Sequence, residues 1–575
     1  MFVSFLLKTY RPMNFRKVGR NIMKRFTFAL ALLLCVPQIF ASSPIAGEKI
    51  AQRLDKEIVP IIEKDMARLN IPGLSAAVVL DGQIIWKKGI GYADREKKIK
   101  ATPDTVYRIA SISKLFNAVA IMQLLEKGKL DINADIKKYL PYMHFENPFD
   151  KPAVITVRHL LCHRADILRE SPVGNYFDDN EPALEETVKS MIGTSFVYPP
   201  GTRTKYSNIG VGIAGHILEK TAGQDFAEYQ KQFVLKPLCM NTSSFLAEDF
   251  IKGKLAKGYM RNLDGRQWEA PHFRFGYLPA ANLYSNVIDL AKFANFIFNE
   301  GRPLLKKQTL KEMTTVQFTE EQDASGFGLG FSVSKTYGIK TVRHGGALYG
   351  FSSTFKVIPE KKLAAIVLVN LDCAGGFKKK IADFALGVAL EEMTGKKILN
   401  IPTFIESSTA ELKRYEGKYE RNGSPVWLAL RKGVLCYEPY GPRKELSQIS
   451  KAEFLTNGYE GYGEKVTMVE EKGKVIGIKI NGDFYKRAEE INIKTKWAKL
   501  TGEYGPDFNV MKVYEKDGKL TVLIEWFYEY PLEHLEGLCF AFPDYGLYHG
   551  EELLFKQSEG KIISAMVGRV SFKKR

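Results

Sequence analysis

Apolar positions fall into different rhythms along the chain. Near the start, the run Ala76–Leu80, an Asp81-Gly82 pair and the segment Gln83–Lys87 predict a β-hairpin. Leu115, Val119, Ile121, Leu124 and Leu125 then recur at helical spacing and predict a strongly periodic apolar helix. Strand-like apolar runs return at Thr354–Ile358 and Ala364–Leu368, with helical patterns between the two ends. From about Thr394 to Thr409 the chain turns polar and contains proline, as a linker does. Beyond it, short alternating segments are punctuated by glycine turns, the texture of β-structure.

This last region repeats itself. Gly417-Lys418-Tyr419 corresponds to Gly502-Glu503-Tyr504, and Lys432–Leu435 to Asp517–Leu520, both 85 residues apart. Glu471–Lys474 matches Ser558–Lys561 at 87, and Phe484–Arg487 matches Phe572–Arg575 at 88, a drift that loop insertions produce. Two β-rich modules, 410–490 and 496–575, are predicted as small antiparallel barrels, because closure removes exposed strand edges. Neither contains a nucleophile–base pair, so both read as accessory.

Charge and cysteine usage narrow the setting. The first 41 residues hold seven basic residues and no acid, and without them the formal charge of +18 falls to about +11. Within them, Lys24-Arg25, the apolar stretch Phe26–Phe40 and Ala41 before Ser42-Ser43 form the pattern of a secretory signal. The apolar stretch is short for a membrane span, and Leu34 before Cys35 is too bulky for a lipoprotein site. The expectation is an exported, periplasmic or secreted protein with no stable membrane insertion, the alternative being a tether by an uncleaved segment. The positive charge favours anionic polymers or simply supplies solvated lysines. No basic run interleaved with aromatics marks a nucleic-acid partner. Five cysteines remain after Cys35, an odd number that does not form a disulfide framework. His159 and His163 lack a third ligand nearby, so neither metal nor cofactor is expected.

The candidate chemistry begins at Ser111-Ile112-Ser113-Lys114. On a helix, Ser111 and Lys114 share one face. A serine hydroxyl needs a base to become a nucleophile, and a buried lysine with a lowered pKa supplies one. Other S-x-x-K matches are decoys. Ser332/Lys335 and Ser353/Lys356 lie in strand-like runs, where alternation points each pair to opposite faces. Ser558/Lys561 spans a glycine turn, and Ser571/Lys574 sits at the chain end.

Context strengthens the first match. Ile71-Pro72-Gly73-Leu74, Tyr107-Arg108-Ile109-Ala110 before Ser111, Pro199-Pro200-Gly201 before Tyr206-Ser207-Asn208, and His344-Gly345-Gly346 follow in order. With these motifs, the region 45–394 resembles the serine β-lactamase-related family: class C β-lactamases, D-alanyl-D-alanine carboxypeptidases, D-aminopeptidases and their esterase relatives. The resemblance implies an α/β catalytic domain with one antiparallel sheet flanked by helices, a mainly helical lobe, and the site in the cleft between. It covers about two-thirds of the chain; the segment 395–409 then links to the two β-modules, a plan similar to that of D-aminopeptidases.

The resemblance assigns Ser111 as nucleophile, with Lys114 or Tyr206 as base, a choice the sequence leaves open. Tyr206 is a candidate base because nearby ammonium groups favour an ionised phenol. Asn208 would hold Lys114 and the substrate amide, or cap the helix that follows. The amides of Ser111 and Ala347 would form the oxyanion hole, with Gly345 and Gly346 bringing the strand edge close to a ligand. Tyr284-Ser285-Asn286 also fits Y-x-N, but there Asn286 is expected to cap a surface helix. His344 stands where class C enzymes have a lysine, which removes a permanent cation and favours esterase or D-aminopeptidase chemistry over β-lactam recognition. Arg343 and the Cys162–Asp166 segment depart from the family pattern and are expected to add bulk or charge near the cleft. The reading is a hydrolase of D-amino-acid peptides, including peptidoglycan-derived ones, or of small esters. Alternatives are a class C-like β-lactamase and a non-catalytic wall-binding or scaffold protein.

Overall fold

A computed structural model describes residues 44–321, 325–490 and 496–575. The predicted signal segment lies outside them. Eight antiparallel strands make the central sheet, in the order Ile99–Lys100, Gln83–Asp94, Gly73–Leu80, Leu363–Val369, Phe351–Ile358, Ile339–Leu348, Ser332–Thr336 and Gly326–Phe327. The predicted hairpin is there: Asp81 (φ 47°) and Gly82 (φ 87°) are both left-handed, as a tight two-residue turn with the strand twist requires. Leu74–Leu80 then pairs with Val369–Leu363, joining the two ends of the catalytic region in one ladder.

Both of those strands are buried throughout, because each sheet face is covered. Ala77, Val79, Ala364 and Ile366 face the helical lobe. Ala76, Val78, Ala365 and Val367 face the helices Pro44–Arg53, Val59–Arg68 and Gly375–Thr394. The helix Ser113–Glu126 does not carry the single apolar stripe its spacing predicted. Every residue from Ser113 to Leu124 is buried, so it runs through the middle of the lobe. Its polar members therefore need internal partners. Ser113 Oγ donates to the Ala110 carbonyl and accepts from the Leu283 amide, and Asn117 Nδ2 donates to the Val211 carbonyl.

The connecting segment is docked rather than free. The Glu391 carboxylate accepts from the Ile398 and Leu399 amides, and Leu399 is buried. The strands from Gly417–Arg421 to Asp483–Ala488 then close into an eight-stranded barrel. The second module is barrel-like without full closure. Its strands form a four-stranded and a five-stranded sheet around one core of Tyr504, Val522, Phe540, Phe555 and Phe572, with a bridge from Tyr504 to Lys574 at one seam. The strand Tyr528–Pro531 pairs with Lys519–Ile524, the Leu532 amide extends that pairing to the Leu520 carbonyl, and the chain then passes into the second sheet at Glu533–His534. The five described cysteines are all free thiols.

Candidate active site

The turn before Ser111 is strained and clamped. Ala110 takes a left-handed φ of 52°, costly for a residue with a Cβ, and opens the short 3-10 turn Ala110–Ile112. Ser353 Oγ donates to the Ile109 carbonyl at 2.8 Å, and Ser113 Oγ to that of Ala110 at 2.6 Å. Gly346 lies against this turn. A Cβ there would fall 2.2 Å from Ser353 Oγ and 2.3 Å from the Ile109 carbonyl, so only glycine permits the approach. Gly345 carries no such demand, since its nearest neighbour would be 3.8 Å away.

Lys114 Nζ sits 3.0 Å from Ser111 Oγ, 2.9 Å from Asn208 Oδ1 and 2.9 Å from the Ala280 carbonyl. Burial first, and then the Arg169 guanidinium, pushes its pKa well below that of a free lysine. A neutral amine has two N–H groups and one lone pair. Asn208 and Ala280 take the two hydrogens, which leaves the lone pair for the Ser111 hydroxyl.

Tyr206 is also hydrogen-bonded to Ser111, but burial pushes its pKa up to about 12, a shift the Ser111 bond only partly opposes. It is therefore a phenol, the reverse of the ionised form expected from neighbouring cations. Lys114 lies 5.1 Å from its ring centroid. His163 packs on the other side with ring centroids 4.1 Å apart, and its Nδ1 accepts from the Ser207 amide at 3.3 Å. Burial keeps that imidazole neutral.

Asn208 does not cap its helix. Ser207 does, accepting from the Gly210 amide, and Asn208 is the first helical residue. Its Nδ2 donates to Glu170 Oε1 at 2.7 Å. His344 is buried on the lobe-facing side of its strand, where Nδ1 donates to the Gly345 carbonyl at 2.7 Å and Nε2 has no partner. Burial, reinforced by Lys114, lowers its pKa to about 3. Its ring makes no hydrogen bond to Ser111, Lys114 or Tyr206. Gly345, Gly346 and Ala347 line the pocket together with Ser111, Tyr206 and Asn208. Their strand pairs with Ser332–Thr336 only as far as Arg343, so the Gly345–Ala347 edge is left open toward the pocket. The second Y-x-N is separate: Tyr284 OH bonds His272 Nε2, and Asn286 caps the helix Val287–Phe298, which is mostly buried rather than superficial.

Two expectations about the cleft are corrected. Arg343 alternates with His344 and projects from the opposite sheet face, away from the pocket. Of the Cys162–Asp166 segment, Cys162 is buried against the Arg158 carbonyl, and Asp166 binds the Thr202 and Arg203 amides. His163, beneath Tyr206, is the member that reaches the site.

The second β-module is not merely accessory. Glu525, Trp526, Tyr528 and Leu547 line a pocket of about 230 Å³. Glu525 and Trp526 hold left-handed φ values of 54° and 67° at its rim. Glu525 Oε1 accepts from Arg169 Nη2 at 3.2 Å and from Tyr548 OH at 2.6 Å. Glu551 takes the Arg169 amide at 3.0 Å and Lys205 Nζ at 2.6 Å. The Arg169 carbonyl in turn accepts from the Asn208 amide at 2.9 Å. A hydrogen-bonded path thus runs from Lys114 through Asn208 and Arg169 to the second module. Lys378, from the helix Gly375–Thr394, also lines the pocket, donates to the Gly346 carbonyl at 2.6 Å, and has its pKa lowered by burial to about 8. Arg169, Glu170, Lys378 and Glu525 carry no local motif and were not singled out from the sequence.

Known proteins are similar to this chain in sequence and fold. Protein flp of Staphylococcus aureus (strain N315) is 29% identical over 324 residues, which cover 56% of this chain and 63% of flp. The chain thus spans less than two-thirds of the length of that relative. The octameric penicillin-binding protein homologue from Pyrococcus abyssi superposes with a TM-score of 0.54 at 25% identity, over 83% of this chain and 99% of its own. EstCE1, a hydrolase with promiscuous acyltransferase activity, has the same fold, with a TM-score of 0.52 at 20% identity over 60% of this chain and 100% of its own. Residues 58–389, more than half the chain, match the Beta-lactamase family, and the chain belongs to that family.

Proposed function

We propose that this protein is a serine hydrolase that cleaves amide or ester bonds through an acyl-enzyme on Ser111. The observation that carries the reading is the Lys114 amine, which donates to Asn208 Oδ1 and the Ala280 carbonyl and lies 3.0 Å from Ser111 Oγ. Lys114 takes the Ser111 proton as the hydroxyl attacks the substrate carbonyl, which opens to a tetrahedral oxyanion beside the Ser111 and Ala347 amides. Tyr206, a phenol hydrogen-bonded to Ser111, passes a proton to the leaving group as the intermediate collapses. Water then hydrolyses the ester with the same groups acting in reverse. His344 stays neutral and holds the strand rather than the proton. A non-catalytic scaffold would have no need of a buried, desolvated lysine against a strained serine turn.

The substrate class follows from the size and walls of the pocket. At about 230 Å³, closed on one side by the second module, it suits a small acyl group such as a D-amino-acid residue, from peptidoglycan fragments or a simple ester. Export, with the N-terminal segment as its signal, belongs to the same reading. Among the described residues no helix is long and apolar enough to cross a membrane. Lys378 favours a second reading, a β-lactamase, because it returns to the pocket an amine that His344 does not supply. A panel of D-Ala-p-nitroanilide, p-nitrophenyl esters and nitrocefin separates the two. Turnover of the first two above nitrocefin is expected; nitrocefin hydrolysis near the diffusion limit would replace the first reading with the second.

A further inference from the structure

The strand that carries His344 has another cleft on its reverse side. It encloses about 510 Å³ between the strands Ile339–Leu348 and Phe351–Ile358, the helix Gly375–Thr394 and the docked connecting segment. Arg343 and Lys356 are direct partners in the ladder, so their side chains share this face. Lys379 joins them from the helix. Asp383 is the one carboxylate residue among those lining the cleft. It pairs with Lys356 and, at 2.9 Å, with Lys379.

Like charges directly opposite in a ladder destabilise it unless something of opposite sign stands between them. Asp383 is already shared by two lysines, and Arg343 has neither an ion pair nor a hydrogen bond among the described residues. Its Nε is buried and without a partner. Burial lowers the Lys356 pKa, Asp383 opposes that shift, and Lys379 and Arg343 add smaller lowering effects. Ser334 and Thr336 lie on the same strand face as Arg343, since Ser332 is its direct partner, and their hydroxyls line the cleft. Arg343, Lys356 and Lys379 against Asp383 leave two positive charges, which match a phosphate dianion, and a guanidinium fork with two ammonium groups is a donor set suited to phosphate oxygens. The volume exceeds that of phosphate alone and extends beside the Tyr337 and Tyr462 rings.

We infer that this cleft binds the phosphate group of a small organic phosphomonoester, held by Arg343, Lys356 and Lys379 on the face of the sheet opposite Ser111. The site is distinct from the hydrolytic pocket and does not depend on the reaction assigned to it. The test is calorimetric titration of the full chain, at pH 7.5 and low salt, with glycerol 3-phosphate and with inorganic phosphate, against sodium chloride at matched ionic strength. Saturable binding of both phosphates is expected, tighter for the ester. Arg343→Gln and Lys379→Gln should each weaken it on the order of tenfold or more. Arg343→Gln should not melt below wild type in phosphate-free buffer, because it removes a like-charge repulsion and no ion pair. Heats no larger than those of chloride, or saturable binding that both variants leave unchanged, would overturn the site.

Discussion

The two C-terminal modules share one plan and diverge in use. Tyr419 and Tyr504, 85 residues apart, are both buried, and each donates its hydroxyl to the carbonyl four residues earlier, at 2.6 and 2.7 Å. Gly417 and Gly502 precede them at φ 144° and 143°. The strands Val434–Pro439 and Lys519–Ile524 then occupy matching places, and the copies part at the next residue. In the first module Tyr440-Gly441 follows, with Tyr440 edge-on to Trp427 at 5.4 Å, and the barrel closes. In the second, Glu525-Trp526 follows, both left-handed, and enters the pocket beside Ser111. Each turn joins two paired strands; in the first copy it packs against its own module, and in the second it reaches the site. One copy serves as a closed support and the other completes a site.

Lys114→Ala sets the scale for this division. It should lower kcat by about 10³-fold or more, as for members of a cooperating catalytic unit. Next is Glu525→Ala, which strips a partner from the buried Arg169. Loss of about 3–5 kcal/mol of stability in chemical denaturation is expected. Displacement of Asn208 through Arg169 should also cost kcat/KM roughly 10²-fold. Full activity in this variant would return the second module to an accessory role. A subtler effect concerns pH. Reaction requires neutral Lys114, so activity falls as pH drops through the Lys114 pKa, and the Arg169 charge holds that pKa down. Arg169→Gln should move the acid limb of the kcat/KM profile to higher pH, while Arg169→Lys should largely restore it. The smallest effect belongs to the first copy: Tyr440→Phe should leave kcat/KM unchanged and stability within about 0.5 kcal/mol. A loss comparable to that of Glu525→Ala would erase the distinction between the copies.

What the sequence disclosed follows the range of the forces involved. The Asp81-Gly82 hairpin, the Ser111–Lys114 spacing and the 85-residue repeat depend on neighbours a few residues apart, or on self-similarity, and were legible. The direction of the Tyr206 shift was not. It depends on burial set by His163 and Phe327, which come from distant segments. Alternation places Arg343 opposite His344, yet only the assembled sheet shows which face the catalytic lobe covers. Glu525 lies 356 positions beyond Arg169, and nothing local in either residue marks the pair. That the second barrel-like module is built as two sheets was not legible, because the chain crosses from one sheet to the other at Leu532, a position fixed only by its strand neighbours.

Active-site labelling tests the central claim most directly. The full chain is treated with a fluorophosphonate probe, and the adduct is located by peptide mass spectrometry in wild type, Ser111→Ala and Ser332→Ala. A single adduct on Ser111 is expected, absent from Ser111→Ala and undiminished in Ser332→Ala, whose serine lies in a strand. Labelling of Ser111→Ala at the wild-type level would contradict Ser111 as the nucleophile, and with it the role assigned to Lys114.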